Sequence, residues 1–214
     1  DLVLLAGGGG KAVSAFAMGA DRAEITDQMY PINVSFTATS NNSSYAEFTG
    51  ANIAVRLQWN ITRDGNKPIT LQSLDVDGSS QSTLSGYTLV EKNTLGATTY
   101  SLSTRVNDQQ KTATATFTTY LPVFVGFDSS ASATGATLST KTKKVVNKVS
   151  SLSGTYTNTT SGPRYFYIAL PSNFTINSIT SSIVAVPYTI RNSSDTTISI
   201  GGQNRTYKIY RSDE

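Results

Sequence analysis

Residues 52–61, NIAVRLQWNI, restrict the fold more than any other part of the chain. Ile53, Val55, Leu57, Trp59 and Ile61 occupy every second position, separated by Ala54, Arg56, Gln58 and Asn60. Successive side chains of a strand point to opposite faces, so this pattern predicts a strand with one buried and one wet face. The buried face carries the one Trp of the chain. Burying an indole removes roughly 150–250 Å² from water, worth about 4–6 kcal/mol at about 25 cal/mol per Å² before conformational entropy is subtracted. Ile53, Val55, Leu57, Trp59 and Ile61 are therefore the predicted core of one module. The stretch carries no chemistry.

Strand signals recur around it. Residues 32–38 alternate Ile, Val and Phe with Asn, Ser and Thr, and Asn41-Asn42-Ser43-Ser44 forms a turn. Asp64-Gly65-Asn66 and Asp77-Gly78-Ser79-Ser80 bracket a strand over 69–76, and further strands are expected at 87–90, 98–106 and 111–120. Tyr100, Leu102 and Thr104 share one face. About seven short strands with Gly, Asn and Asp turns over about 100 residues argue for an immunoglobulin-type sandwich without the inter-sheet disulfide.

After Pro122-Val-Phe-Val-Gly-Phe127, the Ser/Ala/Thr/Gly stretch 129–140 shows no periodicity and reads as a linker. A basic patch follows, with Lys141, Lys143, Lys144 and Lys148 among valines. In the next strand Phe166, Ile168 and Leu170 point one way and Tyr165, Tyr167 and Ala169 the other, so both of its faces should be covered. Strands are expected at 174–179, 183–190, 196–200 and 205–210, with a hairpin turn at Gly201-Gly202-Gln203-Asn204.

The first 28 residues differ from the rest: an apolar patch, four glycines and an Ala-rich segment in which Val13, Phe16 and Ala17 take helical spacing. Such a segment makes no core alone, so it is expected to join a preceding shaft or pack on a neighbouring subunit. The start at Asp1 suggests a segment of a longer polypeptide. The fold class expected is all-β: 1–28 a short, partly helical or irregular connector, 29–128 an immunoglobulin-like β-sandwich, 129–140 a linker, and 141–214 a smaller β-domain.

Composition narrows the chemistry. Of the 214 residues 38% are hydrophobic and only 14% charged, the filling being Ser, Thr, Asn and Gly, which suits extracellular or virion all-β proteins. There is no Cys and no His, which excludes zinc sites built on those residues and removes the commonest general base. A net charge of +3 spread along the chain does not resemble a nucleic-acid-binding face. The longest apolar run is far shorter than the ~20 residues of a membrane span. Nucleic acid and membrane insertion are thus not expected partners.

Gly7-Gly8-Gly9-Gly10-Lys11 invites a phosphate-loop reading, but Leu5 stands where the motif needs Gly and Ala12 where it needs Ser or Thr. A glycine turn explains it. Asp75 and Asp77 share a face at a strand end, yet calcium wants six or more oxygens, so a turn is the simpler reading. No Gly-x-Ser-x-Gly elbow is present, and the few carboxylates sit mostly in turns. No catalytic residue, cofactor or metal ligand is assigned. The tyrosines of the second half are more suggestive, because Tyr suits sites where one end is buried and the other hydrogen-bonds. Tyr156, Tyr188, Arg191 and Tyr207 are the candidate ligand contacts, and Leu4, Leu5, Phe16, Tyr165 and Tyr167 the candidate oligomer contacts.

LLAGGGGKAVSAFA (4–17) resembles the apolar-glycine-lysine segment that precedes the C-terminal modules of virion and tail-fibre proteins of phages infecting gut Bacteroidetes. NIAVRLQWNI, TTYSL (98–102) and PVFVGF (122–127) are similar to the immunoglobulin-like module of those proteins, and RYFYIALP (164–171) with NRTYKIYRS (204–212) to their terminal module. The resemblance implies a non-enzymatic, homotrimeric, host-facing virion part that contacts other virion proteins and a host surface glycan or protein. The competing expectations are an architectural capsid decoration or head-fibre module and, from another class, a host-glycan-degrading enzyme.

Overall fold

The computed structural model describes residues 2–4, 10–12, 29–145, 154–157, 164–181 and 184–212. In chain order the strands are β1 (Leu2–Leu4), β2 (Gly10–Ala12), β3 (Ile32–Thr39), β4 (Tyr45–Glu47), β5 (Ile53–Arg63), β6 (Leu71–Val76), β7 (Ser79–Ser80), β8 (Ser85–Lys92), β9 (Gly96–Val106) and β10 (Gln109–Tyr120). Then come β11 (Pro122–Asp128), the short helix α1 (Gly135–Leu138), β12 (Thr142–Val145), β13 (Tyr165–Pro171), β14 (Thr180–Ser181), β15 (Val184–Ala185), β16 (Tyr188–Ile200) and β17 (Gln203–Ser212). The fold is all-β. No helix among the described residues is long and apolar enough to cross a membrane.

Strands β3-β5-β8 form one sheet and β4-β10-β9-β6-β7 another. This is the A-B-E and G-F-C order of an immunoglobulin-type domain, with β4 added parallel to β10. Along β5, exposed and buried residues alternate: Val55, Leu57, Trp59 and Ile61 are buried, and Ile53 is half-buried. Trp59 Nε1 donates to the Thr83 carbonyl at 3.0 Å, so burial leaves the indole nitrogen paired. Tyr100, Leu102, Thr104 and Val106 line the buried face of β9, and the Thr104 hydroxyl donates to the Ser73 carbonyl at 2.9 Å.

Two-residue turns set the registers. Asn41-Asn42, Asp77-Gly78, Asn107-Asp108 and Gly201-Gly202 all have positive φ at both residues, the requirement of a type I′ turn, whose twist matches that of the strands it joins. The Asp77 turn closes a β6–β7 hairpin in which Asp75 Oδ1 accepts the Gly78 N–H at 2.8 Å.

The chain divides into two compact units: residues 1–38, 56–89 and 99–115, and residues 39–55, 90–98 and 116–214. The second unit is built on the sheet β12-β11-β13-β17-β16. Here the expected layout changes in three places. First, 122–127, expected within the sandwich, pairs antiparallel with β13 and β12. Second, 129–140 is folded where a linker is expected: Thr134 caps α1 by accepting the Thr137 N–H, and Ala133 and Leu138 are buried. Small residues without periodicity look like linker, but a single Leu on one helical turn is enough to dock the segment. Third, the strand expected at 174–179 is largely irregular. In the N-terminal segment, 2–4 pair antiparallel with 10–12, whereas Val13, Phe16 and Ala17 lie outside the described residues.

β13 is buried on both faces, as its two-faced sequence requires. Tyr167 and Ala169 pack with Phe48, Phe124, Leu138, Ile198, Tyr207 and Ile209 on one side. Ile168 and Leu170 pack with Val123, Val125 and Tyr210 on the other.

Candidate functional site

A cleft of about 380 Å³ opens on the second unit. One wall is Val125–Phe127 of β11, the next is Thr140–Thr142 between α1 and β12, and the third is Thr155–Thr157 with Arg164, the residue before β13. Tyr156 is held in place by its ring, which lies 5.4 Å from that of Phe166, and Gly154 packs against its edge. Its hydroxyl is buried with no hydrogen-bond partner among the described residues, and burial raises its pKa. The Arg164 Nε is likewise buried, with no partner among the described residues. Buried donors are almost always satisfied in folded proteins, so two cleft-lining residues whose buried donors lack a partner among the described residues mark a place that an acceptor completes once the side chains turn outward.

Lys141 contributes differently. Its ammonium donates to the Phe127 carbonyl at 2.8 Å and to Asp128 Oδ2 at 2.9 Å, so its charge is already compensated. The Lys141 hydrogen bond, with the Ser130 N–H at 2.9 Å as a second donor, holds the Asp128 carboxyl below its usual pKa. Arg164 adds a weaker electrostatic pull on the same carboxylate. The cleft therefore offers one guanidinium with no carboxylate paired to it among the described residues, four threonines and two aromatic residues, Phe127 and Tyr156. Hydroxyl donors, an aromatic wall and a single cation suit a polyhydroxylated ligand, above all one carrying a carboxylate.

Of the residues singled out in the sequence, Tyr156 lies in this cleft and Tyr188 does not. Tyr188 is half-buried, donates its hydroxyl to the Ile176 carbonyl at 3.2 Å and lies 5.9 Å from the Tyr210 ring. Tyr207 is fully buried, its hydroxyl donating to the Pro122 carbonyl at 2.9 Å and its ring against Phe124. It belongs to the core. The Arg191 side chain lies outside what the structure describes. Tyr167, expected at a subunit interface, is also fully buried, donating to the Ser130 carbonyl at 2.6 Å, and its face of β13 is covered by the same chain. Tyr165 is half-buried, with the Arg211 guanidinium 4.7 Å from its ring centroid. Leu4 is seen only as backbone in β1, and Leu5 and Phe16 lie outside the described residues.

No protein-family model, no curated protein and no solved structure matches the chain. The site therefore stands on its own geometry. Among the described residues no cluster of His, Cys, Asp or Glu is placed to hold a metal ion. Gly10 and Lys11 sit in β2, which is not the helix N-terminus a phosphate loop requires. The basic patch resolves into separate roles, Lys141 turned to Asp128 and Lys143 3.5 Å from Glu47. Arg164 was not singled out in the sequence. Its one local signal is its place between Pro163 and a two-faced strand, where a cation starts a buried element.

Proposed function

We propose that the chain is a non-enzymatic structural and attachment module of a bacteriophage fibre or tail tip, which binds an acidic surface glycan through the cleft of the second unit. The observation that carries the reading is a cleft of an all-β module lined by Tyr156 and Arg164, whose buried Oη and Nε have no partner among the described residues. Host-surface glycans supply the hydroxyls and carboxylates that such donors accept, and Arg pairs with a carboxylate through two parallel bonds. Trimerisation, expected from the apolar N-terminal segment, would multiply one weak site into avid adsorption. The chain would then reside on the virion, assembled in the bacterial host.

The test is adsorption of the purified protein to host cells and to immobilised uronic-acid glycans, comparing wild type with Arg164→Ala and Tyr156→Phe. Arg164→Ala should weaken binding roughly tenfold or more, in line with loss of a charge-assisted hydrogen bond. Equal adsorption by wild type and both variants would refute the assignment.

A second reading, an architectural capsid or head-fibre module without a receptor, draws support from the burial of Tyr167, Tyr207 and Tyr210, which moves half of the second-half tyrosines from surface to core. Saturable binding to cells decides against it. The degradative alternative rests on Asp75 and Asp77, and Asp75 already serves its own turn as an acceptor. Release of reducing ends from host capsule, lost in Asp75→Asn, would revive it.

A further inference from the structure

Strand β8 ends its sheet, with β5 on one side and no strand on the other among the described residues. The Leu84 carbonyl, just before β8, accepts the Ile61 N–H of β5 at 2.8 Å. Backbone groups alternate in direction along a strand, so the N–H and C=O groups of residues 85, 87, 89 and 91 point away from β5. The outer face of the same strand carries Tyr87, 57% exposed, and Leu89, 61% exposed, with no charge between residues 85 and 90. Sheet edges are normally blunted by short length, Pro or charge. The other sheet of this domain follows that rule, ending in β4 and β7 of three and two residues. β8 does not: it runs for eight residues with Tyr87 and Leu89 outward.

We infer that β8 pairs antiparallel with β8 of a second copy of this chain, about a two-fold axis at Thr88. The outward-pointing groups fix which registers are open, since odd-numbered residues must face odd-numbered residues. Among these, an axis at residue 88 sets Tyr87 opposite Leu89 of the second copy, twice, and covers both exposed apolar side chains. An axis at 87 or 89 leaves one of them opposite Ser85 or Glu91. The same register brings charges together. The Arg56 guanidinium lies over the Tyr87 ring, 4.1 Å from its centroid, and Glu91 of the second copy becomes the diagonal neighbour of Tyr87. Each copy thus supplies a cation where the other supplies a carboxylate. Four hydrogen-bonded residue pairs give about eight backbone bonds across the joint. The contact is two-fold, so it joins copies in pairs and is independent of the trimer expected from the N-terminal segment.

The chain has no Cys, which makes a cross-link readable. Residues on the axis form a non-hydrogen-bonded pair with Cα atoms about 4.5 Å apart, inside the range a disulfide spans. Under mild oxidation Thr88→Cys should run as a dimer on a non-reducing gel. Ser35→Cys, exposed on β3 of the same sheet, should stay monomeric. Adding Leu89→Asp to Thr88→Cys should cut the dimer yield at least about tenfold through like charges brought together at the joint. No dimer from Thr88→Cys, an equal dimer yield from Ser35→Cys, or a yield unaffected by Leu89→Asp would overturn the inference.

Discussion

Replacing Gly201 with Ala isolates how the β16–β17 turn is held within its unit. Gly201 and Gly202 are the two central residues of that turn, with φ of 59° and 77°. Their surroundings differ. A Cβ on Gly202 would meet nothing within 4 Å. A Cβ on Gly201 would strike the Gly50 Cα, with the Thr49 carbonyl oxygen at 2.5 Å and the Gly50 nitrogen at 2.8 Å. Gly202→Ala therefore pays only for a left-handed backbone, about 1–2 kcal/mol. Gly201→Ala adds the separation of two backbones, comparable to overpacking a core and worth about 1–3 kcal/mol more. At roughly 2–4 °C per kcal/mol for a chain of this size, Gly201→Ala should melt about 2–12 °C below Gly202→Ala. Circular dichroism melts of the two variants beside wild type supply the comparison. Equal melting temperatures would show that the close approach of Gly50 and Gly201 contributes nothing.

Trp59→Ala should lose about 3–5 kcal/mol, since it empties a 2%-exposed site and strips the Thr83 carbonyl of its donor, while glycan adsorption persists at temperatures where the variant stays folded. Asp128→Asn should flatten the acid limb of stability. The folded pKa of Asp128 is depressed chiefly by Lys141, so its contribution is present above about pH 4 and is lost as pH falls through the folded value; urea midpoints against pH for the two proteins test this. Tyr207→Phe should do the same at the alkaline end. Burial, reinforced by Glu47, raises the Tyr207 pKa well above its ordinary value, so the unfolded chain releases its proton first and stability present below about pH 10 is lost as pH rises past it. Phe lacks that proton, and urea midpoints of the variant should fall less steeply between about pH 9 and 11, where Tyr100 and Tyr156 still titrate, at a cost near 1 kcal/mol for the orphaned Pro122 carbonyl.

The strands of the first half were legible because one face of each is wet. Alternation in β5 and paired turn residues at Asn41-Asn42 and Asp77-Gly78 state the period and the breaks directly. β4 was missed, since three residues are too few for a period to show. The candidate site was legible only at Tyr156. Thr155 comes from a segment whose sequence shows no period, and Arg164 reaches the cleft wall of β11 because β11 and β13 are neighbours in the sheet.

The tyrosines show where sequence stops. Their number in the second half marks amphipathic side chains that need both apolar contact and a hydrogen bond, but the partner is not written locally. Tyr207 bonds Pro122 and Tyr167 bonds Ser130, each across a long stretch of chain, and those bonds turn surface candidates into core. The sequence by itself determined the all-β class, the two-faced character of β13 and the turn positions, because these follow from side-chain alternation and local backbone preference. The tertiary structure alone decided that 122–128 joins the sheet of the second unit, that 129–140 is anchored by Leu138, and which donors of the cleft-lining residues are left without a partner among the described residues. Those outcomes depend on which distant strands share an edge, and a residue's own neighbours in the chain carry no record of that.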